Sequence, residues 1–214
     1  MEDSFVVTIT GQIESGEFPR YNDLYCKYCF MFGSDWVVAS GLEEGISQIS
    51  RKTVDERGLV IWNLPLDISL KSTNPFGWPR LVVCVYGLDA FGNDVVRGYG
   101  MCHIPFRLGC HQRRLPMFVP VSASQLQKFT AWITGRRPEY VDPRVLGQGE
   151  GREATRVTSE GYTNVLFNVM KRNMSQLGYQ TCPSSEALTS VTAPLERITS
   201  MGVLTSDVAN MFLH

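Results

Sequence analysis

The chain has 214 residues, 43% of them hydrophobic, which is enough to bury a substantial core in one domain with appendages. Its formal net charge of −1 excludes a general attraction to nucleic acid or acidic membranes, so either would need a local patch. No run approaches the roughly 18 apolar residues of a spanning helix, and MEDSFVVTIT has no basic segment before a long apolar stretch.

A soluble, intracellular protein is therefore expected, with its six irregularly spaced cysteines as free thiols. The first sixty residues are acid-biased, and Arg97 to Arg172 is arginine-rich, so opposite faces can differ in sign.

Phe5, Val7 and Ile9 alternate with Val6, Thr8 and Thr10, which predicts a first strand from the N-terminus to about Gly11–Ile13. ESGEFPRYND reads as a loop, and LYCKYCFMF, Leu24–Phe32, as an aromatic-rich second strand. Asp35-Trp36 opens a short extended piece, and Glu43-Glu44-Gly45 breaks the pattern before Ile46–Ser50. Leu59–Lys71 is extended, with Pro65 removing a ladder donor and marking an edge or bulge. Asn74–Pro79 is an ordered turn.

Leu81–Phe106 is the stretch around which the chain is organised: two strands joined by an acidic, glycine-containing loop. The unbroken apolar run LVVCVY suits a strand buried on both faces or one in a sandwich core. His111–Val121 reads as a proline-marked edge strand. Ser122–Gly135 is the best helix, with a serine N-cap, Leu126, Phe129 and Ile133 at helical spacing, and Gly135 as the stop. Glu153–Thr158 and Tyr162–Lys171 read as a final hairpin around Glu160-Gly161. From Ser175 the pattern fails, and the Ser/Thr-rich tail is expected to be disordered or partner-dependent.

Candidate chemistry is sparse. Cys26 and Cys29, Cys102-His103 and Cys110-His111 suggest zinc, but on a strand each pair points to opposite faces. His103, His111 and His214 fit no nucleophile motif, and no GxSxG, phosphate loop or HExxH occurs. Arg113-Arg114, Arg136-Arg137 and Lys171-Arg172 could meet anionic headgroups, although neighbours on a strand supply one contact per pair. Phe76, Trp78, Trp132, Arg136, Arg137 and Tyr140 are the expected partner-contact residues, since exposed aromatics beside arginines make good interface anchors.

GQIESGEF, YNDLYCKYC, GLEEGISQI, KSTNPFGWP, VYGLDAFGNDVVRGYG, LQKFTAWITGRRPEY and QGEGREATRV, running from Gly11 to about Tyr179, together resemble the B9 domain. The tail after about Cys182 departs from the family pattern. The resemblance implies an all-β fold, a C2-like antiparallel eight-stranded β-sandwich, here with a short helical insertion, over residues 4–174, followed by the tail 175–214.

It also implies a non-enzymatic, cofactor-free scaffold at the ciliary basal body and transition zone. There it would assemble with B9 domain-containing protein 2 and the Meckel syndrome type 1 protein in the tectonic-like complex. That complex limits entry of membrane proteins into the cilium, and Hedgehog signalling depends on it.

C2 domains that bind calcium gather aspartates at one end of the sandwich, and Asp23, Asp89 and Asp94 stand at places similar to three of these. Calcium takes about 6 to 8 oxygen ligands, so these three carboxylates are expected to be turn-formers in solvent. The alternative to a scaffold is a calcium-independent peripheral phospholipid-binding module.

Overall fold

A computed structural model describes residues 4–89, 92–120 and 156–179. The chain divides into two units, Met1–Thr181 and Cys182–His214, and all described residues belong to the first. Its strands are β1 Phe5–Glu17, β2 Leu24–Met31, β3 Trp36–Gly41, β4 Glu44–Ile46, β5 Leu59–Ser72, β6 Arg80–Leu88, β7 Asp94–His103, β8 Gly109–Pro120 and β9 Val157–Arg172. They form one antiparallel sheet in the order β3-β5-β1-β9-β8-β7-β6-β2-β4.

Nine strands therefore stand among the described residues where eight were expected. The extra one is β4, three residues that pair with Lys27–Cys29 and include Glu44 and Gly45, which read as a break in the sequence. The expected helix Ser122–Gly135 lies outside the described residues.

The sheet curls because β7 and β8 share a single pair, Tyr99 with Phe118. On either side of that join the inward faces meet in one core: Val7 and Ile9 of β1, Ile68 of β5 and Phe167 of β9 cluster with Cys26 of β2 and Leu81, Val83 and Val85 of β6. The open side is bridged by the chain itself. After β3 the Leu42 N–H donates to the Asp67 carbonyl on β5, and the Glu43 carbonyl accepts from the Phe30 N–H on β2. The unbroken apolar run in β6 has the expected result, since Val82 and Cys84 enter a second cluster with Val96 and Tyr99 on the opposite face.

Three sequence readings are corrected. First, β1 runs on through ESGE to Glu17, because a register shift between Ile13 and Ser15 lets it keep pairing with both β5 and β9. The same shift, opposite Asn63 with its φ of 47°, is the irregularity that Pro65 signalled. Second, Val157–Arg172 is one strand rather than two arms of a hairpin around Glu160-Gly161: the β8–β9 register slips between Met117 and Phe118, so Glu160-Gly161 is a bulge. Gly161 is required there, because a Cβ would sit 2.2 Å from the Glu17 carbonyl oxygen. Third, β8 is not an edge. It pairs with β9 throughout, although its other border meets β7 only at Phe118, which leaves room for Pro116.

These pairings define two ends. Segments 18–23, 51–58 and 89–93 connect strands at one end. Segments 32–35, 73–79 and 104–108 do so at the other, where β9 also finishes. At that second end Leu177 and Tyr179 pack back on the core, with Tyr179 edge-on to Phe5.

Candidate functional site

Asp23, Asp89 and Asp94 do gather at one end, since Leu24 pairs with Gly87 and Leu88 with Asp94. Each has a local task. Asp23 adopts a φ of 51° and its carboxylate accepts from Arg51 Nε at 3.1 Å, while the neighbouring Asn22 side chain accepts from the Lys52 N–H at 2.9 Å. The two residues thus pin the 51–58 segment to the start of β2. Asp89 folds back over its own turn: Oδ1 accepts from the Asn93 N–H at 2.8 Å and Oδ2 from Asn93 Nδ2 at 3.2 Å. Asp94 is exposed at the first position of β7. Among the described residues no group of three His, Cys, Asp or Glu side chains is placed to hold a metal ion.

The thiols separate as strand geometry requires. Cys26 faces the main core and Cys29 the second cluster, so they cannot share an ion. Burial pushes the Cys26, Cys84 and Cys102 thiols up to about 12, which makes them inert packing groups at neutral pH. Cys110 is exposed, and the neighbouring His111 ring hydrogen-bonds the Arg107 carbonyl at 2.8 Å.

The basic pairs split in the same way. Lys171 turns inward over the Phe106 ring at 3.2 Å and the Trp78 ring at 5.1 Å, while Arg172 is exposed on the other face. Arg114 lies 4.0 Å over the Tyr162 ring and 2.6 Å from Glu17. These groups line a groove of about 560 Å³ with Arg20 and Glu160. Glu160 is buried there, with Arg20 at 3.8 Å and the Tyr21 hydroxyl donating to it at 3.5 Å. The groove's charges answer one another, an arrangement that holds β1, β8 and β9 in register.

The end opposite the aspartates is aromatic. Trp36 stands edge-on to Phe5 and to Trp78, and Trp78 packs on Phe106 with centroids 4.9 Å apart. Trp78 is half-buried and its indole N–H donates to the Ile104 carbonyl at 2.8 Å, so most of it belongs to the fold. Phe76 is the expected contact residue that the structure presents openly, at 79% exposure. Trp132, Arg136, Arg137 and Tyr140 lie outside the described residues. Sequence reasoning missed Phe106 and Leu108, both substantially exposed beside Phe76's loop. Pro105 and Gly109, flanking Phe106-Arg107-Leu108 with its two large apolar residues, were the available signal.

No helix among the described residues is long and apolar enough to cross a membrane. Residues 7–170 match the family described as "Ciliary basal body-associated, B9 protein". B9 domain-containing protein 1 of Homo sapiens is 60% identical over 84% of this chain and 88% of its own length. The Xenopus laevis protein of the same name is 57% identical over 83% and 89%. B9 domain-containing protein 2 of Bos taurus is 28% identical over 81% of this chain and 98% of its own. Among solved structures, a C2-type domain of plant Extended Synaptotagmin 1 matches with a TM-score of 0.38 at 10% identity, covering 76% of this chain and 92% of that one, a likeness too slight to argue from.

Proposed function

The chain belongs to the B9 protein family, and from that membership we propose that it is a non-enzymatic scaffold subunit at the ciliary basal body and transition zone. It assembles there with paralogous B9 proteins, B9 domain-containing protein 2 and the Meckel syndrome type 1 protein, within the tectonic-like complex. Its loss weakens ciliogenesis, the barrier to membrane-protein entry and Hedgehog signalling. The observation that carries this reading is 60% identity, sustained over 84% of the chain, to a protein named for the B9 domain.

The fold is suited to the task. A curled sheet whose border strands β3 and β4 are six and three residues long offers short edges that resist open-ended pairing while leaving faces and ends free for defined subunits. We take the described unit, which runs through Tyr179 with Leu177 and Tyr179 packed on its core, as the part that assembles. Trp132, Arg136, Arg137 and Tyr140 are the residues we assign to subunit contact, because aromatic and arginine side chains dominate interface energetics.

Co-expression with the two paralogues, followed by size and mass determination, tests the reading. A defined hetero-complex that excludes surplus subunits supports it, and charge reversal of Arg136 and Arg137 then weakens copurification. Emergence of the chain alone and monomeric from that co-expression rejects direct assembly.

A further inference from the structure

We propose that the end of the curled sheet bearing Phe76, Phe106 and Leu108 docks on an anionic lipid bilayer, without calcium. The proposal goes beyond the scaffold reading and fails or stands separately from it.

Charge is distributed unequally between the two ends. Among the described residues, the loops and strand termini of the Phe76 end carry Lys71, Arg80, Arg107 and Arg172, with Lys171 turned inward over Phe106, against Asp35 and Glu43, Glu2 and Asp3 being outside the described residues. At the other end cations and carboxylates alternate and meet: Arg51 with Asp23 at 3.1 Å, Arg57 with Asp55 at 3.7 Å, Arg114 with Glu17 at 2.6 Å and Arg20 with Glu160 at 3.8 Å. The cations of the Phe76 end come from both halves of the sheet. Lys71 and Arg172 flank Val6 in register on β5 and β9, Arg80 opens β6 and Arg107 sits in the 104–108 loop. A basic rim around a central tip suits a flat anionic surface.

The tip itself is apolar, with Phe76 79%, Phe106 45% and Leu108 43% exposed. It is also built so that exposing a ring strands no backbone polar group. The Phe76 N–H donates to Asn74 Oδ1 at 3.0 Å, and its carbonyl accepts from Trp36 Nε1 at 2.8 Å. Gly77, at a φ of 68°, lies against Gly33 so closely that a Cβ would be 2.5 Å from its Cα. The loop is therefore held by its neighbours, with only the ring directed outward. Satisfied backbone and a projecting aromatic group are what the headgroup boundary requires of an inserting loop. The basic rim supplies the rest, since each cation near an anionic leaflet strengthens binding about fivefold.

The test is flotation of the full chain in EDTA with phosphatidylcholine vesicles containing or lacking phosphatidylserine. Wild type floats with the serine-containing vesicles only. Arg107→Glu with Arg172→Glu weakens that binding on the order of 25-fold or more, and Phe76→Ser weakens it at unchanged charge. Arg51→Glu with Arg57→Glu, the same charge change at the opposite end, leaves it intact. Melting temperatures of all variants establish that each is folded.

Failure of the wild type to float overturns the proposal, as does an equal loss in the opposite-end variant. Unchanged flotation of the Arg107/Arg172 variant, combined with lost copurification with a B9 paralogue, assigns the surface to an acidic protein instead and also overturns it. Loss of flotation with copurification intact separates the two functions.

Discussion

The indole N–H of Trp36 donates to the carbonyl oxygen of Phe76 across 2.8 Å, so the first residue of border strand β3 holds the tip of a loop forty positions later in the chain. Trp36 is buried, and its ring is edge-on to both Phe5 and Trp78. One side chain therefore joins the start of β1, the β3 border and the 73–79 loop.

Two substitutions separate its roles. Trp36→Phe keeps an aromatic ring but leaves the Phe76 carbonyl without its donor, at a cost of about 1–3 kcal/mol. Trp36→Ala also opens a cavity among the rings and costs about 3–5 kcal/mol. Urea unfolding midpoints are expected to fall in that order; an unchanged midpoint in Trp36→Phe would show that the hydrogen bond contributes nothing, and equal losses in the two variants that the ring packing adds nothing to it.

Glycine positions give a sharper contrast. Gly11 lies in β1 between β5 and β9, and at its φ of 150° a Cβ would be 2.0 Å from the Leu166 carbonyl oxygen. The obstacle is backbone in a paired strand, so Gly11→Ala is expected to separate β1 from β9 and abolish cooperative unfolding. At Gly92 a Cβ meets nothing within 4 Å, but φ is 81°. Gly92→Ala therefore costs only backbone strain, about 1 kcal/mol, and Gly92→Asn less, because Asn tolerates the left-handed region. Circular dichroism melts of the three variants check the ranking.

Calcium is expected to leave the protein unchanged. Asp23 is engaged by Arg51 and Asp89 by Asn93, so an arriving ion would have to displace partners in order to reach ligands spread over separate turns. Millimolar calcium should shift neither the melting temperature nor the titration heat relative to EDTA. Arg51→Ala removes an exposed ion pair worth about 0–1 kcal/mol. A calcium-dependent rise in melting temperature, larger still in Arg51→Ala, would reinstate the aspartates as ligands.

The strands that could be read from the sequence are those whose pattern is set by burial. In β6 the unbroken run from Leu81 to Tyr86 foretold two apolar faces, because no other arrangement hides both Val83 and Val82. The segments misread were those in which a pairing partner overrides local signals. Glu14–Glu17 resembles a loop until β5 and β9 lie on either side of it, and Glu160-Gly161 resembles a turn until β8 slips by one residue to admit it. The same limit applied to the aromatic end. Phe76 announced itself between Pro75 and Gly77, whereas the approach of Phe106 and Lys171 to Trp78 depends on β7 and β9 ending at the same level. No local rule carries that information.

The buried thiols make stability depend on alkaline pH. Cys26, Cys84 and Cys102 have an ordinary value of 9.0 and are pushed up to about 12, first of all by burial. Above about pH 9 the unfolded chain releases these protons while the folded chain retains them, so the unfolded state binds fewer and stability falls as pH rises. The thiols' full contribution is present below pH 9 and is lost progressively towards pH 12. Urea midpoints are therefore expected to be insensitive to these groups from pH 7 to 8.5 and to decline beyond. Cys26→Ala, Cys84→Ala and Cys102→Ala combined should flatten the decline while lowering the plateau, since each leaves a small cavity. Thiol labelling at pH 8 offers an independent check: Cys110, which is exposed, reacts first among the cysteines of the described residues, and the buried Cys26 and Cys84 react only as the chain unfolds. Rapid labelling of Cys26 or Cys84 in the native protein would contradict the burial on which the pH dependence rests.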